Sequence, residues 1–179
     1  MTKVILLDRD GVINQDSPHY IKSVDEFHFL PGSLEAIARL TRVGYRIGIA
    51  TNQSGLARGY YSEEELSAIH AKMLYHLRAA GGEIDAIEYC PHLPDDDCFC
   101  RKPKPGMLHT LASRLGCDLE MVHFVGDKLS DIQAAKAAGA KPILVLSPMS
   151  NRSDVQTYSD VPVYNSLLQC VQSLLNYQE

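Results

Sequence analysis

Short apolar runs alternate with segments of helical periodicity along almost the whole chain. The runs predict five β-strands and a short sixth strand near the C-terminus. Strand–helix repeats of this kind favour a parallel sheet, because a helix carries the chain back to the start of the next strand. The six predicted strands are Lys3–Asp8, Tyr45–Ala50, Ile84–Tyr89, Met121–Val125, Pro142–Leu146 and Val161–Tyr164.

Helical periodicity fills most of the segments between these strands. The longest helix is predicted to begin at a capping box of Ser62 and Glu65 and to end near Ala80. Further helices are predicted over residues 33–43, 105–115, 129–138 and 166–176. The segment Cys90–Lys104 is expected to be irregular, and the polar stretch Ser147–Asp160 is expected to be mobile. The pattern predicts an α/β fold, a three-layer sandwich with a central parallel sheet and helices on both faces.

The composition narrows the class of protein. The chain has 179 residues, of which 45% are hydrophobic and 22% charged, which suits a single domain over residues 1–179. A formal net charge of −5 without a basic block argues against a nucleic-acid partner. No apolar run reaches the roughly 20 residues of a membrane span, and Asp8 interrupts any signal-peptide core. We therefore expect a cytoplasmic protein, and a monomer because no exposed apolar stripe is evident.

The first predicted strand ends in two acidic residues, Asp8 and Asp10, which are followed by Gly11. Packing alone does not explain this pattern, because an unpaired charge at the end of a buried strand costs several kcal/mol or more. A positive partner is therefore expected at this point. We interpret the two acids as part of a site for a divalent cation and a phosphate.

Polar and charged residues also follow the other central strands. Thr51 follows the second strand, and Lys102 follows the loop after the third. Asp127 and Asp131 follow the fourth strand. Thr51 and the two acids could instead be turn or cap residues, and Lys102 could be a solvated loop charge. One shared site explains them better, because ligands of parallel sheets bind outside the carboxyl ends of the strands.

These residues form, in chain order, the motifs Asp8-x-Asp10-Gly11, Thr51, Lys102 and Gly126-Asp127-x-x-x-Asp131. Their order and their places at strand ends resemble the four motifs of the haloacid dehalogenase (HAD) superfamily of phosphatases. The resemblance implies a HAD-like Rossmannoid fold and Mg²⁺-dependent phosphoryl transfer through an aspartyl-phosphate. The segments after the first two strands are too short for a cap domain, so a capless member is expected.

The resemblance also implies a role for each of these side chains. Asp8 is the implied nucleophile, and Asp10 is the implied general acid and base. Mg²⁺ is expected to be held by Asp8, by the carbonyl oxygen of Asp10 and by Asp127. Thr51 and Lys102 are expected to bind the phosphoryl oxygens and to stabilise their charge.

Two close pairs of metal-ligating residues lie in the irregular segment, Cys90 with His92 and Cys98 with Cys100. Three thiols and one imidazole in so short a stretch match a closed tetrahedral zinc site, which is structural rather than catalytic. Such a zinc ion would order the loop that leads to Lys102. The alternative is a buried Cys90 beside a surface histidine and an incidental cysteine pair.

The remaining cysteines and histidines have no such partners nearby in sequence. An odd total of five cysteines argues against a disulfide framework. Cys117 and Cys170 are expected to pack in or near the core. His70 and His76 are interpreted as surface residues of the longest predicted helix.

Longer sequence motifs indicate one particular family within the HAD superfamily. They comprise Asp8-Arg9-Asp10-Gly11-x-x-Asn14, Thr51-Asn52-Gln53-Ser54-Gly55-x-Ala57-Arg58-Gly59, the cysteine–histidine pairs and Arg101-Lys102-Pro103-x-Pro105-Gly106-Met107. This set is similar to the D-glycero-D-manno-heptose-1,7-bisphosphate 7-phosphatase family, which removes the 7-phosphate on the route to the ADP-heptose of lipopolysaccharide cores. The resemblance implies that Arg101 recognises the substrate, and Arg58 or Lys128 could meet its second phosphate. The implied substrate-binding residues are Asp16, His19, Tyr20, Asn52, Gln53, Ser54, Arg101 and Lys128.

Three other functions are compatible with parts of the pattern. A histidinol-phosphate phosphatase would need a carboxylate for its cationic substrate, which Asp16 or the run Asp95–Asp97 could supply. A receiver domain of two-component signalling also forms an aspartyl-phosphate, but its phosphorylated aspartate ends the third strand, where this chain has Cys90. A zinc-binding interaction module would have no use for the acids at the strand ends.

Overall fold

The computed structural model describes residues 2–176 of the chain. Its strands are β1 (Lys3–Leu7), β2 (Tyr45–Asn52), β3 (Ala86–Cys90), β4 (His123–Gly126), β5 (Lys141–Val145) and β6 (Val163–Tyr164). Its α-helices are α1 (Ser33–Arg42), α2 (Glu63–Ala79), α3 (Gly106–Leu115), α4 (Leu129–Ala138), α5 (Arg152–Thr157) and α6 (Leu167–Asn176). The strands form one parallel sheet in the order β3-β2-β1-β4-β5-β6.

A local signal fixes the start of the long helix α2. Ser62 Oγ accepts a hydrogen bond from Glu65 N at 3.1 Å, and Glu65 Oε2 accepts one from Ser62 N at 2.7 Å. This reciprocal capping box, which the sequence predicts, satisfies two of the N–H groups that a helix start leaves unpaired. The helix then presents its apolar side to the sheet.

Helices cover both faces of the sheet. On one face, Ile5 and Leu7 of β1 pack with buried residues of α1, α2 and α6. On the other face, Val4 and Leu6 of the same strand pack with buried residues of α3 and α4. Alternate residues of one strand therefore enter two cores, as expected of a strand buried on both sides. The predicted three-layer α/β sandwich is confirmed.

The strand order reverses beside β1, which brings three strand ends together. In the register of the sheet, Leu7 pairs with Ile49 of β2 on one side and with Val125 of β4 on the other. The chain continues directly into Asp8, whose N–H donates to Val125 O at 2.9 Å. Ligands of open parallel sheets bind in the crevice at such a reversal. The predicted site residues therefore gather where β1, β2 and β4 end; Thr51, predicted to follow the second strand, lies within β2 at its carboxyl end.

The polar stretch Ser147–Asp160 contains regular structure that the sequence analysis did not predict. Asn151 Oδ1 caps helix α5 by accepting a hydrogen bond from Ser153 N at 3.0 Å. Val155 and Tyr158 pack against a small apolar cluster near β5 and β6. The two apolar side chains, three residues apart, give the segment one packed face, which the sequence analysis did not foresee; the mobility of the stretch stays a prediction.

No separate cap domain covers the crevice in the part of the chain that the structure describes. Residues 8–32, between β1 and α1, form loops and one 3₁₀ turn, and residues 53–62 after β2 form a tight loop. This agrees with the capless architecture predicted from the sequence. Within residues 2–176, no helix has both the length and the apolar character needed to cross a membrane.

Candidate active site

A buried ion-pair cluster forms the floor of the crevice. Lys102 Nζ lies 3.0 Å from Asp8 Oδ1 and 2.7 Å from Asp131 Oδ1, and it donates to Ala50 O at 2.9 Å. The side chain of Lys102 is only 2% exposed, and that of Asp8 is 8% exposed. An unpaired charge at this depth is strongly unfavourable, so each of these charged groups depends on the others.

The side chain of Asn52 holds the backbone of Lys102 in place. Asn52 Nδ2 donates to Lys102 O, and Asn52 Oδ1 accepts from Lys102 N, both at 3.1 Å. The amide therefore ties the end of β2 to the loop that supplies the lysine. Asn52, which the sequence analysis assigns to substrate binding, lines the crevice but directs its amide towards the protein backbone.

Asp131 connects Lys102 to the start of α4. Its Oδ2 accepts hydrogen bonds from the N–H groups of Asp127 and Lys128, both at 3.1 Å, while Oδ1 pairs with the lysine. The Asp131 carboxylate therefore has two roles. It caps the start of α4, as the alternative interpretation of the sequence proposes, and it completes the ion-pair cluster with Lys102 and Asp8. Only glycine fits at Gly126, because a Cβ there would lie 2.2 Å from Asp131 Cβ.

Asp127 has one engaged and one unpartnered carboxylate oxygen. Its Oδ2 accepts from Ser147 Oγ at 2.8 Å, and its backbone carbonyl accepts from Ser150 Oγ at 2.7 Å. Its Oδ1 is buried and has no hydrogen-bond partner among the described residues. The sequence analysis missed Ser147, although this residue follows β5 closely and so lies at the same edge of the sheet as the predicted site.

The acids at the base of the crevice form a group that could hold a cation. One oxygen each from Asp8, Asp127 and Asp131 lies within 4.8 Å of the other two. Asp131 is the least available of the three, because Lys102 and two backbone N–H groups already occupy its oxygens. The unpartnered oxygen of Asp127 is the type of ligand that Mg²⁺ prefers. The group therefore fits Mg²⁺ held by Asp8 and Asp127.

The crowded carboxylates shift one another's protonation. Burial and the Asp131 carboxylate raise the pKa of Asp8 well above its usual range, although Lys102 opposes the shift. Burial and Asp131 also raise the pKa of Asp127 to about 7. Burial lowers the pKa of Lys102, but the Asp131 and Asp8 carboxylates outweigh burial and raise this pKa overall. The lysine is therefore charged at neutral pH.

Asp10 lies among hydrogen-bond donors instead. Its Oδ1 accepts from Arg9 Nε at 3.1 Å, from Arg9 Nη2 at 2.8 Å and from Asn14 Nδ2 at 2.8 Å. Its Oδ2 accepts from Gln53 Nε2 at 3.0 Å. Burial raises the pKa of Asp10, but the Arg9 guanidinium and these hydrogen bonds outweigh burial and lower it overall. Two carboxyl groups that are two residues apart thus have opposite pKa shifts.

Gln53 links Asp10 to Thr51. The Gln53 Nε2 atom also donates to Thr51 Oγ1 at 2.9 Å, and Gln53 Oε1 accepts from Tyr61 OH at 2.5 Å. Burial raises the pKa of Tyr61 to about 12, so its hydroxyl keeps the proton that it donates. Thr51 is fully buried near the end of β2 and, unlike Asn52 and Gln53, is not among the residues that line the crevice.

His70 is half-buried on α2, so its interpretation from the sequence as a surface residue holds only in part. Its Nε2 lies 3.1 Å from Arg9 Nη1, under the loop that follows β1. Burial and the Arg9 charge lower the pKa of His70 to about 4, so the imidazole is neutral and can accept a hydrogen bond from the guanidinium. Helical periodicity identifies the side of α2 that faces the sheet. It cannot show that the loop after β1 packs against another side of the same helix. His76 is exposed, as predicted.

The crevice above these residues has a volume of about 600 Å³. Asp8, Asp10, Lys102 and Asp131 contribute to its base. The predicted substrate-binding residues that line it are Asp16, Tyr20, Asn52, Gln53, Ser54, Arg101 and Lys128. His19 is exposed and does not line the crevice, so the structure does not bring it to the other predicted residues.

Two of the predicted substrate-binding residues bind each other. Lys128 Nζ lies 2.7 Å from Asp16 Oδ2, and the Asp127 and Asp16 carboxylates outweigh burial and raise the pKa of Lys128. Arg101 differs, because its Nη1 donates to the carbonyl of His92 at 3.4 Å and it forms no ion pair with any described residue. Arg101 is therefore the cation of the crevice wall whose charge is most available to a ligand.

The four predicted zinc ligands converge beside the crevice. Cys90 Sγ lies 2.9 Å from Cys100 Sγ and 3.9 Å from Cys98 Sγ, and His92 Nδ1 lies 3.4 Å from Cys90 Sγ. One donor atom from each residue lies within 4.8 Å of the others. Three thiols and one imidazole at this spacing fit a tetrahedral zinc ion. The loop runs directly from the last of these cysteines into the base of the crevice.

The two other cysteines lie where the sequence analysis expects them. Cys170 is fully buried in the core that includes α6. Cys117 is partly buried and packs against the core on the opposite face of the sheet. Burial raises the pKa of both thiols, which keeps them protonated and unreactive at neutral pH.

Known proteins share both the sequence and the fold. A family model of HAD-hydrolase-like proteins matches residues 99–170. A D-glycero-beta-D-manno-heptose-1,7-bisphosphate 7-phosphatase of Neisseria meningitidis is 45% identical over 177 residues, which cover 97% of this chain and 95% of that protein. The protein of the same name from Bordetella bronchiseptica is 57% identical over 143 residues, 80% of each chain. This chain belongs to the heptose-bisphosphate phosphatase family.

Solved structures of the heptose-bisphosphate phosphatase family have the same architecture. The crystal structure of the B. bronchiseptica enzyme, complexed with magnesium and phosphate, matches with a TM-score of 0.92 and 48% identity, over 98% of this chain and 99% of that one. The crystal structure of the Burkholderia thailandensis enzyme matches with a TM-score of 0.71 and 37% identity, over 97% and 98% of the two chains. The fold described above is therefore the fold of this family.

In Mg²⁺-free buffer, we expect the crowded carboxylates to destabilise the protein as the pH rises. The pKa of Asp127 is about 7 in the folded protein and has its lower, ordinary value in the unfolded chain. The folded state therefore binds a proton more tightly, and stability is lost between about pH 4 and pH 7. Asp127→Asn removes this loss. We expect the variant to melt about 3 °C or more above the wild type at pH 8, and to gain less at pH 5, by differential scanning calorimetry.

Asp95→Asn is the control for the loss of one negative charge. Asp95 is exposed in the loop beside the crevice, so its replacement should shift the melting temperature by no more than about 1 °C at either pH. An equal gain from Asp127→Asn at pH 5 and pH 8 would contradict the raised pKa of Asp127.

Proposed function

We propose that this protein is a Mg²⁺-dependent phosphatase that removes the 7-phosphate of D-glycero-β-D-manno-heptose 1,7-bisphosphate, on the route to ADP-heptose and lipopolysaccharide cores. The observation that carries the proposal is the buried cluster of Lys102, Asp8 and Asp131, beside an unpartnered oxygen of Asp127. The names of relatives at 45% and 57% identity support the substrate and its anomer.

Asp8 is the nucleophile in this proposal. Its Oδ1 is held by Lys102 Nζ at 3.0 Å and by the N–H of Arg9 at 2.7 Å, which leaves Oδ2 to attack the phosphorus. The attack forms an aspartyl-phosphate and breaks the bond between phosphorus and the sugar oxygen at C7. Lys102 and the Thr51 hydroxyl stabilise the charge on the phosphoryl oxygens as hydrogen-bond donors that the protein holds in place.

Asp10 transfers protons in both halves of the reaction. It gives a proton to the departing sugar oxygen, and it then takes one from the water that hydrolyses the aspartyl-phosphate. Its Oδ2 is the reacting oxygen, because Oδ1 already accepts three hydrogen bonds from Arg9 and Asn14. The products are heptose 1-phosphate and inorganic phosphate, and both aspartates return to their initial states.

The acidic donors at the base of the crevice are proposed to hold Mg²⁺. Asp8 and Asp127 supply carboxylate oxygens, and Asp10 supplies its backbone carbonyl. Bound Mg²⁺ offsets the negative charge of the phosphate and so reduces its repulsion of the attacking carboxylate. The magnesium and phosphate in the related B. bronchiseptica structure support this assignment.

The cluster of Cys90, His92, Cys98 and Cys100 is proposed to hold a structural zinc ion. All four positions of a tetrahedral ion are filled by protein, so no position remains for a substrate. The ion orders a loop that has no helix or strand of its own between β3 and α3. This loop carries three cationic residues that follow the last cysteine and line the crevice: Arg101, Lys102 and Lys104.

The sugar and its second phosphate are proposed to lie along the crevice wall. Arg101 is the preferred contact for the second phosphate, because it forms no ion pair with any described residue. Lys128 is a weaker candidate than the sequence suggests, since Asp16 already neutralises it. Arg58 packs over the Tyr20 ring, 5.9 Å from the ring centre, and does not itself line the crevice.

The alternative functions lose support in this geometry. Asp16, a candidate partner for the cation of histidinol phosphate, is paired with Lys128. Of the candidates Asp95, Asp96 and Asp97, only Asp96 lines the crevice, and its Oδ2 already accepts a hydrogen bond from Leu93 N at 2.8 Å. The strand order 3-2-1-4-5-6 also differs from the order 2-1-3-4-5 of receiver domains. The cytoplasmic location and the monomeric state remain predictions from the sequence.

Phosphate release from two substrates tests the proposed function. With Mg²⁺ present, we expect kcat/KM for heptose 1,7-bisphosphate to exceed that for histidinol phosphate by at least about 100-fold, because a pocket built for one polar substrate leaves its groups unpaired with another. ³¹P NMR should show heptose 1-phosphate as the only sugar phosphate formed. An equal or higher kcat/KM for histidinol phosphate would overturn the substrate assignment.

Replacing the nucleophile tests the mechanism. Asp8→Asn should lower kcat for heptose 1,7-bisphosphate by a factor on the order of 10⁴ to 10⁶, because an amide cannot form the aspartyl-phosphate. Steady-state phosphate release measures the loss, and Asp95→Asn, which changes an exposed aspartate in the same way, should keep wild-type activity. Multiple turnovers by Asp8→Asn at near the wild-type rate would exclude the proposed mechanism.

Elemental analysis tests the zinc site. We expect about one zinc ion per chain in the purified protein and little in Cys98→Ser, because the hydroxyl is a poor replacement for a thiolate ligand. The variant should also melt at a lower temperature and have a lower kcat/KM. Cys117→Ser, the matched control, changes a cysteine outside the cluster and should retain its zinc. A wild-type protein without zinc when prepared in zinc-containing medium would contradict the assignment.

A further inference from the structure

A fully buried guanidinium lies directly behind Asp10. Arg9 has no exposed surface, and its planar group packs 5.8 Å from the centre of the Phe27 ring. Its Nε and Nη2 atoms both donate to Asp10 Oδ1. A buried charge of this kind requires partners for its other N–H groups as well, because leaving them unpaired is costly.

His70 supplies one of these partners from helix α2. Its Nε2 lies 3.1 Å from Arg9 Nη1, on the opposite side of the guanidinium from Asp10. A guanidinium has no acceptor, so the contact requires a lone pair on His70 Nε2. The neutral imidazole that burial favours provides it. The mechanism proposed above gives this histidine no role.

The chain of contacts controls which oxygen of Asp10 can react. With Arg9 fixed from behind, Oδ1 accepts three hydrogen bonds, two from Arg9 and one from Asn14. Oδ2 accepts one, from Gln53. A rotation of the carboxyl group that exchanged the two oxygens would break the paired contacts with the guanidinium fork, which are strong and directional.

We propose that His70 is a positioning residue for the phosphatase reaction: it fixes the Arg9 guanidinium, which in turn holds Asp10 with Oδ2 directed at the leaving-group oxygen. The proposal rests on the proposed role of Asp10 as general acid. It follows that loss of the hydrogen-bond acceptor at position 70 impairs proton transfer to the leaving group more than it impairs substrate binding or the attack by Asp8.

Substrates with different leaving groups separate this role from a purely structural one. The sugar oxygen of heptose 1,7-bisphosphate needs a proton as it departs, whereas p-nitrophenolate leaves as a stable anion. We therefore compare kcat/KM, which reports steps up to the departure of the leaving group, for heptose 1,7-bisphosphate and p-nitrophenyl phosphate. His70→Leu should lower the first value by about tenfold or more, a part of the 10²- to 10⁴-fold effect of general acid catalysis, and change the second less than about twofold.

Three further variants complete the comparison. His70→Gln places an amide oxygen near the position of Nε2, where it can accept a hydrogen bond from Arg9. This variant should therefore retain most of the activity on the sugar phosphate that His70→Leu loses. His70→Met fills similar space with a poor acceptor, and it replaces His70→Leu if that variant does not fold. His76→Leu makes the same change at an exposed position of the same helix and should behave as the wild type with both substrates.

Asp10→Asn distinguishes a failure of this inference from a failure of the proposed function. We expect it to lose activity on the sugar phosphate selectively, and by more than His70→Leu. If Asp10→Asn shows this selectivity and His70→Leu does not, the role of His70 is overturned and the mechanism stands. Equal losses on both substrates in His70→Leu, or a Gln variant no better than the Leu variant, would also overturn it. If Asp10→Asn loses both activities equally, Asp10 is not the general acid, and the role of His70 that depends on it is overturned as well.

Discussion

The site depends on one buried lysine that remains between two buried carboxylates. Lys102 Nζ contacts both Asp8 and Asp131 at hydrogen-bond distance, and none of the three groups could stay charged at this depth alone. Several other features serve this contact. Gly126 allows Asp131 to approach, Asn52 holds the backbone of the lysine, and the cysteine–histidine loop delivers it to the crevice. The residues around the site therefore act together to keep three charged groups paired inside the protein.

The same crevice gives two neighbouring aspartates different environments. Burial and the neighbouring carboxylates raise the pKa of Asp8, whereas Asp10 lies among donors that outweigh burial and lower its pKa. The proposed reaction needs an ionised Asp8 and a protonated Asp10. These are the forms favoured beside a divalent cation and beside a phosphate dianion, respectively.

Much of the site could be predicted because β-sheet topology is encoded locally. Apolar runs reveal the strands, and the residues that follow Leu7, Cys90 and Gly126 must then gather at one edge of a parallel sheet. The capping box of α2 is equally local. Ser147 was within reach of the same rule, since it follows β5, but its polar surroundings suggested a mobile stretch. The helix α5 in that stretch packs against a cluster that includes Leu144 of β5 and Ile132 of α4, and no local sequence pattern indicates these contacts.

The sequence by itself determined the layers of the fold, the order of the acidic motifs and the pairing of metal-ligating residues, because each depends on spacing along the chain. Only the tertiary structure decided which partner each charge has. Asp16 pairs with Lys128, and His70 lies under Arg9, through contacts between residues 112 and 61 positions apart. Hydropathy periodicity cannot specify such contacts, because they depend on how a loop packs over a helix or across a crevice.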